Sequence, residues 1–139
     1  MVTGAGSGLG QGIALGLSQA GAGLILAGLP GTQVDTAAAI AATGRRARVV
    51  DLDVGDHDSL RSIAVELILH ERIDILVNNA GIIDRADSTD VAPDAWAHVL
   101  DINLSGMFFL TQVIAGPMLE RGAGKVVNIA SLLSFQGGL

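Results

Sequence analysis

Several residue types are absent from this sequence or scarce in it. The 139 residues include no cysteine, no tyrosine, one tryptophan and three phenylalanines. Without cysteine the chain can form neither a disulfide nor a thiolate metal site. The three histidines, His57, His70 and His98, lie far apart and lack the spacing of metal ligands, so no metal site is predicted. The scarcity of aromatic residues removes the stacking platforms on which single-stranded nucleic acid binds.

Positive charge is also scarce. The chain has 8 Lys and Arg residues against 14 Asp and Glu residues, which gives a net charge of −6. A nucleic-acid-binding surface requires a basic patch to neutralise phosphates. No nucleic-acid partner is therefore predicted.

Apolar residues make up 50% of the chain, and the mean hydropathy is +0.53. Gly, Asp or Asn interrupts the longest apolar segments, so no run reaches the roughly 20 residues that a membrane span needs. High apolarity without such a run is typical of strands that are buried on both faces of a parallel sheet. The sequence shows no signal-peptide pattern. A cytoplasmic location without membrane contact is therefore expected.

Short apolar segments alternate with segments of helical periodicity along the whole chain. Strands are predicted at residues 1–3, 23–28, 47–51, 73–77 and 125–129. The segments between them predict helices at 8–20, 33–43, after a cap at Asp56 or Asp58, after Pro93 and at 104–120, with Pro117 expected to kink or end the last one. This order predicts an α/β fold with a doubly wound, parallel, Rossmann-like sheet. We expect residues 1–139 to form part of a dinucleotide-binding domain, incomplete at both ends and with a truncated first strand.

A glycine-rich loop follows the first predicted strand. Gly4, Gly8 and Gly10 lie in the segment TGAGSGLG, between the strand end and the helix start. The N-terminus of a helix offers free N–H groups and a positive dipole end to a pyrophosphate. The loop therefore predicts dinucleotide binding, with a simple glycine-rich turn as the alternative.

Four motifs occur in an order and at intervals that resemble the short-chain dehydrogenase/reductase family. They are T-G-x-x-x-G-x-G at Thr3, Asn-Asn-Ala-Gly at Asn78, the asparagine of DINLSGMFF and the serine of VNIAS. Together they cover almost the whole chain. The segments RIDILVNNAGII and NIASLLSFQGG are most similar to the branch of that family that acts on deoxy-sugar acids. The resemblance implies an oxidoreductase that moves a hydride between a nicotinamide cofactor and a secondary alcohol or ketone of such an acid.

The resemblance also implies which residues hold the cofactor. The loop residues would bind the pyrophosphate and the adjoining ribose, Asp53 and Val54 would meet the adenine edge, and the Asn-Ala-Gly segment would lie beside the cofactor. For Asp53 and Asn79 the alternative is a turn-forming role. The implied cofactor-binding residues are Gly4, Ser7, Gly8, Leu9, Gly10, Asp53, Val54, Asn79, Ala80 and Gly81.

Two residues correspond to the catalytic positions of the family. Ser131 would hydrogen-bond the substrate oxygen, and Asn103 would hold a water in the proton relay. The alternatives are a cap for Ser131 and a polar residue at a helix break for Asn103; Ser134 is the nearest other serine. The family's acid–base tyrosine and its lysine correspond to positions beyond Leu139. We therefore expect this chain alone to be inactive, and a non-catalytic dinucleotide-binding module or degenerate subunit remains the alternative function.

The sequence defines the substrate and the choice between NAD and NADP less closely than it defines the dinucleotide site. Residues 27–31 contain neither an acidic residue to bind a ribose 2′-hydroxyl nor a basic residue to bind a 2′-phosphate. The lack of a phosphate partner favours NAD as the cofactor, and NADP is not excluded. Arg85 follows the fourth strand, where a guanidinium could bind a sugar-acid carboxylate; an ion pair with Asp84 or Asp87 is the alternative. Gln136 is a further candidate for the substrate pocket. The family resemblance implies a homo-oligomer for the full-length form.

Overall fold

Five parallel strands form one sheet in the computed structural model, which describes residues 1–136. The order across the sheet is β3-β2-β1-β4-β5, so that β1 lies at the centre. The bounds are β1 Val2–Thr3, β2 Leu24–Gly28, β3 Ala47–Asp51, β4 Ile75–Asn78 and β5 Lys125–Asn128. The predicted doubly wound, Rossmann-like fold is confirmed.

Helices cover both faces of this sheet, because alternate residues of the central strands point to opposite sides. In β2, Leu24 and Leu26 pack on one face with residues of α1 and α2, and Ile25 and Ala27 pack on the other face with residues of α3 and α5. The helices are α1 Gly8–Gln19, α2 Val34–Ala42, α3 His57–His70, α4 Pro93–Leu100 and α5 Met107–Glu120.

The main departure from the predicted elements lies between α4 and α5. The sequence predicts two separate helices, whereas the structure has one continuous helix of 28 residues, Pro93–Glu120, with a π-helical turn at Asp101–Gly106. Pro117 does not break this helix, because it lies in the last turn, where only its own bond to a preceding carbonyl is lost.

The continuous helix changes one expectation from the sequence. By length and composition it could cross a membrane, although no such segment was expected, because Gly, Asp or Asn interrupts the longest apolar segments of the sequence. Its inward residues pack against the sheet as part of the core: Ile102, Leu110, Ile114 and Met118. Core helices of α/β domains have this same apolar character.

Candidate functional site

A concavity of about 330 Å³ lies at the carboxyl ends of the central strands. There the strand order reverses, since β1 leads to β2 on one side while β4 lies on the other. Open α/β sheets bind ligands at such a switch point. A larger concavity of about 640 Å³ lies at the amino ends of the strands, on the wrong edge for this type of site. The carboxyl-edge concavity is lined by Gly4, Gly6, Ser7, Gly28, Leu29, Thr32, Leu52, Asp53, Val54, Ala80, Gly81, Ile82, His98 and Ile102.

The glycine loop presents the start of α1 to this concavity. Ser7 is the N-cap residue, and its side chain makes no capping hydrogen bond. The N–H groups of the first helical turn have no intrahelical partners, so they are available to an anion. Gly8 has a φ of +54°, and a Cβ on it would meet no atom within 4 Å. Gly8 is exposed and is not itself part of the lining, so this open space lies at the protein surface, next to Ser7, which lines the concavity.

Close packing beneath the loop explains two more of its glycines. Gly4 has a φ of +61° and lies against Ala80, whose Cα would be 3.0 Å from a Cβ on Gly4. A Cβ on Gly10 would overlap the carbonyl oxygen of Gly4. Gly10 is buried and lines no part of the concavity, so its contribution is to let α1 approach the loop. Leu9 is 71% exposed and also lies outside the lining.

Asn79 joins the ends of β1 and β4. Its backbone N–H donates to Thr3 Oγ1 at 3.0 Å, and its Nδ2 donates to the carbonyl oxygens of Thr3 at 3.0 Å and Gly4 at 3.2 Å. The N–H of Ala80 also donates to Thr3 Oγ1 at 3.0 Å. Asn79 thus braces the floor of the concavity, while Ala80 and Gly81 line it. Thr3 was not among the predicted site residues, although it opens the glycine motif.

The preceding asparagine, Asn78, extends this bracing to the next strand. Its buried Nδ2 donates to Thr111 Oγ1 at 2.9 Å and to Asn128 Oδ1 at 2.8 Å. Thr111 belongs to α5 and Asn128 ends β5. Asn78 thereby fixes the strand end from which Ser131 follows three residues later.

The loop after β3 has a fixed shape at the other end of the concavity. Asp53 Oδ1 accepts a hydrogen bond from the N–H of Gly55 at 2.8 Å, which leaves its second carboxylate oxygen for a ligand. Asp56 caps α3 by accepting from the N–H of Ser59. The side chain of Ser59 and then its backbone N–H lower the pKa of the Asp56 carboxyl. A Cβ on Gly106 would overlap the carbonyl oxygen of Val54, so the π-helical turn lies directly against this loop.

Asn103 lies within the π-helical turn of a continuous helix, and the interpretation of a helix break is therefore corrected. Its Oδ1 accepts from the N–H of Ile82 at 2.8 Å, and its Nδ2 donates to the carbonyl oxygen of Ile82, also at 2.8 Å. These paired bonds hold the loop that follows β4. They join residues 21 positions apart, which local sequence patterns do not reveal.

The residues predicted to contact the substrate are exposed and lie outside the concavity lining. Ser131 follows β5 and caps the 3₁₀ turn Leu132–Ser134, with its Oγ accepting from the N–H of Leu133 at 3.1 Å. Gln136 and Arg85 are both exposed. Within residues 1–136, Arg85 makes no ion pair, so the pairing with Asp84 or Asp87 considered from the sequence is not formed.

Eight of the fourteen lining residues were not named as site residues from the sequence. Leu29 and Thr32 belong to a tight turn in which the N–H of Thr32 donates to the carbonyl oxygen of Leu29 at 3.1 Å. The Pro30-Gly31 pair signals that turn, and Gly31 has a φ of +78°. The other missed lining residues are Gly6, Gly28, Leu52, Ile82, His98 and Ile102. Within residues 1–136 no group of three or more His, Asp or Glu side chains is arranged to hold a metal ion.

Comparison with known proteins gives concordant matches. The model of the short chain dehydrogenase family matches residues 1–139. A 2-dehydro-3-deoxy-D-gluconate 5-dehydrogenase from Bacillus subtilis (strain 168) is 45% identical over 139 residues, which are 100% of this chain and 55% of the relative. The chain thus spans about half the length of the curated relatives it matches.

Solved structures agree with the sequence relatives. One, from Beutenbergia cavernae, is assigned as an NAD(P)-dependent gluconate 5-dehydrogenase and holds NADP at low occupancy; it has a TM-score of 0.95 and 43% identity over 99% of this chain and 55% of its own. Another, from Agrobacterium tumefaciens, is assigned as a 2-deoxy-D-gluconate 3-dehydrogenase with bound NADP; it has a TM-score of 0.89 and 46% identity over the same shares. The predicted similarity to the deoxy-sugar-acid branch is confirmed, and the chain belongs to the short-chain dehydrogenase family.

Proposed function

We propose that this chain is the cofactor-binding part of an oxidoreductase that transfers a hydride between a nicotinamide dinucleotide and a secondary alcohol or ketone of a deoxy-sugar acid. The concavity at the switch point carries this proposal. It joins an uncapped helix N-terminus to a carboxylate-bearing loop, as an elongated ligand with a pyrophosphate and a base requires. The B. subtilis relative, named for a deoxygluconate substrate, supports the substrate class.

The residues around the concavity fit a dinucleotide. The first-turn N–H groups of α1 would hold the pyrophosphate, and Gly8 leaves the space for it. The free carboxylate oxygen of Asp53 would accept from the adenine amine, and the N–H of Val54 would serve a ring nitrogen. When bound, the nicotinamide supplies the position that gives or takes the hydride.

The preference between NAD and NADP depends on the turn after β2. Leu29 lines the concavity there and offers neither a carboxylate for a ribose hydroxyl nor a cation for a 2′-phosphate. We infer that the site binds NAD and that it also tolerates NADP, because no carboxylate in this turn would repel the 2′-phosphate. The two solved relatives that hold NADP are consistent with this tolerance.

The substrate would lie beyond the nicotinamide end of the concavity. Ser131 Oγ accepts a hydrogen bond in the 3₁₀ turn and keeps its own proton to donate to the substrate oxygen. Arg85, which is free of ion pairs among the described residues, would bind the sugar-acid carboxylate, and Gln136 would line the same region. Asn103 fixes the loop between these groups and the cofactor and would hold a water of the proton relay.

A non-catalytic dinucleotide-binding module is the second candidate. These 139 residues contain no tyrosine, which is the residue that the family resemblance implies would move the proton. Both candidates predict dinucleotide binding, and they differ in turnover. A cytoplasmic location and a homo-oligomeric full-length form stay predictions.

Turnover would be tested in an extended protein, in which this chain continues to the length of its relatives. With NAD and a deoxy-sugar acid, we expect reduction of the cofactor and loss of about 10²-fold or more in rate for Ser131→Ala. Ser134→Ala is the matched control, because Ser134 lies in the same turn, and it should retain activity. An extended protein that binds NAD without turning over any sugar acid would favour the non-catalytic module.

A further inference from the structure

His98 lies in the wall of the concavity, at the end formed by the loop after β3. It lines the concavity together with Asp53, Val54 and Ile102. No residue of α4 is buried, and His98 is itself exposed, so it packs into no core. Its place in the lining of the concavity is therefore its principal structural feature.

The helix geometry places this side chain over the loop. Ile102 is four residues after His98 in the continuous helix, so both side chains share one face. Ile102 contacts the loop directly, because its Cγ1 would lie 3.0 Å from a Cβ on Gly55. His98 therefore lies one helical turn before Ile102 on that face, and it is exposed where Ile102 is buried.

His98 also differs from the neighbouring histidine of the same region. The Nε2 of His57 lies 3.3 Å from the carbonyl oxygen of Asp101, and its ring packs edge-on against Phe109 at 5.1 Å between centroids. Within residues 1–136 the His98 ring has neither a hydrogen-bond partner nor an aromatic neighbour. The ring of His57 is thus held by contacts within the protein, whereas the planar ring of His98 lines the concavity without such contacts.

We propose that His98 covers the adenine base of the bound dinucleotide from the solvent side. This inference rests on the proposed function and adds a binding residue to it. Val54, Ile82 and Ile102 supply apolar contacts around the base, and a planar imidazole supplies a stacking surface on its open side. Stacking does not depend on the amino group of the base, unlike the hydrogen bond assigned to Asp53.

Binding of ADP-ribose to the 139-residue chain, measured by calorimetry, tests the proposal. Base stacking on an aromatic side chain contributes enough that His98→Ala should weaken binding about five- to 100-fold. His98→Phe keeps the planar ring and should bind within about threefold of the wild type. His70→Ala, at the far end of α3, is the matched control and should bind as the wild type does.

A second ligand separates stacking from hydrogen bonding. The hypoxanthine analogue of ADP-ribose lacks the exocyclic amine, and His98→Ala should weaken its binding by the same factor. Asp53→Asn should weaken ADP-ribose more than the analogue. Unchanged ADP-ribose affinity in His98→Ala, with wild-type binding intact, would overturn this proposal alone. Failure of the wild-type chain to bind ADP-ribose and NAD would overturn the proposed function as well.

Discussion

Thr3 and Asn79 are joined by two hydrogen bonds, and in both of them Asn79 donates and Thr3 accepts. The backbone N–H of Asn79 donates to Thr3 Oγ1, and the Asn79 side-chain amide donates to the Thr3 carbonyl oxygen, both at 3.0 Å. These bonds hold together the ends of β1 and β4, on which the concavity rests. The glycine motif and the Asn-Asn-Ala-Gly motif thus form one structural unit, although 76 positions separate the two residues.

Removal of the Thr3 hydroxyl should therefore destabilise the fold. Thr3→Val keeps the shape of the side chain but leaves the N–H groups of Asn79 and Ala80 without their acceptor. We expect a loss of about 1–3 kcal/mol in the free energy of unfolding, measured in urea. Thr3→Ser keeps the hydroxyl and should lose less. Equal stabilities of the valine and serine variants would contradict this account.

Gly106 and Gly116 provide a matched pair on the long helix. Gly106→Ala would force a methyl group into the carbonyl oxygen of Val54, which should cost about 1–3 kcal/mol of stability and weaken dinucleotide binding by shifting the loop. Gly116→Ala meets no atom within 4 Å and should stabilise the helix by up to about 1 kcal/mol. Thermal unfolding and calorimetry measure the two effects. A stabilising Gly106→Ala would show that the helix does not press on the loop.

The cap of α3 should make stability depend on pH. Hydrogen bonding from Ser59 lowers the pKa of Asp56 below its value in the unfolded chain. The cap therefore stabilises the fold fully at pH values above the unfolded pKa. This stabilisation is lost as the pH falls through the lower, folded pKa. Asp56→Ala should lower the melting temperature at pH 7, with the difference from wild type shrinking below about pH 4. Asp56→Asn keeps a capping oxygen without the charge, and its melting temperature should vary less over that range. A constant difference between wild type and Asp56→Ala from pH 7 to pH 2 would refute the assignment.

Cofactor preference should respond to the residue after β2. Leu29→Asp would offer a carboxylate to a ribose 2′-hydroxyl and repel a 2′-phosphate, whereas Leu29→Arg would attract that phosphate. We expect each change to shift the ratio of NAD to NADP affinity by about tenfold or more, in opposite directions. Calorimetric titration with both cofactors measures this ratio. If the ratio of NAD affinity to NADP affinity were identical in the two variants, the adenosine ribose would not lie beside residue 29.

The strands and most helices could be predicted because their signals are local. Apolar residues recur at helical spacing in α1, and Pro93 occupies the first turn of α4 as its sequence position suggests. The joining of α4 and α5 was not predicted from local patterns, and its π-helical turn ends at Gly106, which lies against Val54. That contact joins segments that are distant in sequence.

The site was only partly predictable for the same reason. The role of Gly4 follows from the end of a strand, where a ligand is expected, whereas the role of Asp53 was implied by the family resemblance. His98 has no signal of this kind, since only the crossing of the long helix over the loop brings it to the concavity. The hydrogen bonds of Asn103 to Ile82 likewise depend on how the helix packs beside β4.

The central claim is that the loop at the start of α1 binds the pyrophosphate of a dinucleotide. Binding of NADH to the chain and to Gly8→Val, measured by calorimetry, tests it most directly, with Gly12→Ala as a control that also meets open space on α1. A valine at position 8 would fill the space in front of the helix N-terminus, and its side chain disfavours the φ of +54° observed there. We expect wild type and Gly12→Ala to bind NADH, and Gly8→Val to remain folded by circular dichroism without measurable binding. Equal NADH affinity in a folded Gly8→Val chain would contradict the account and leave the loop as a turn alone.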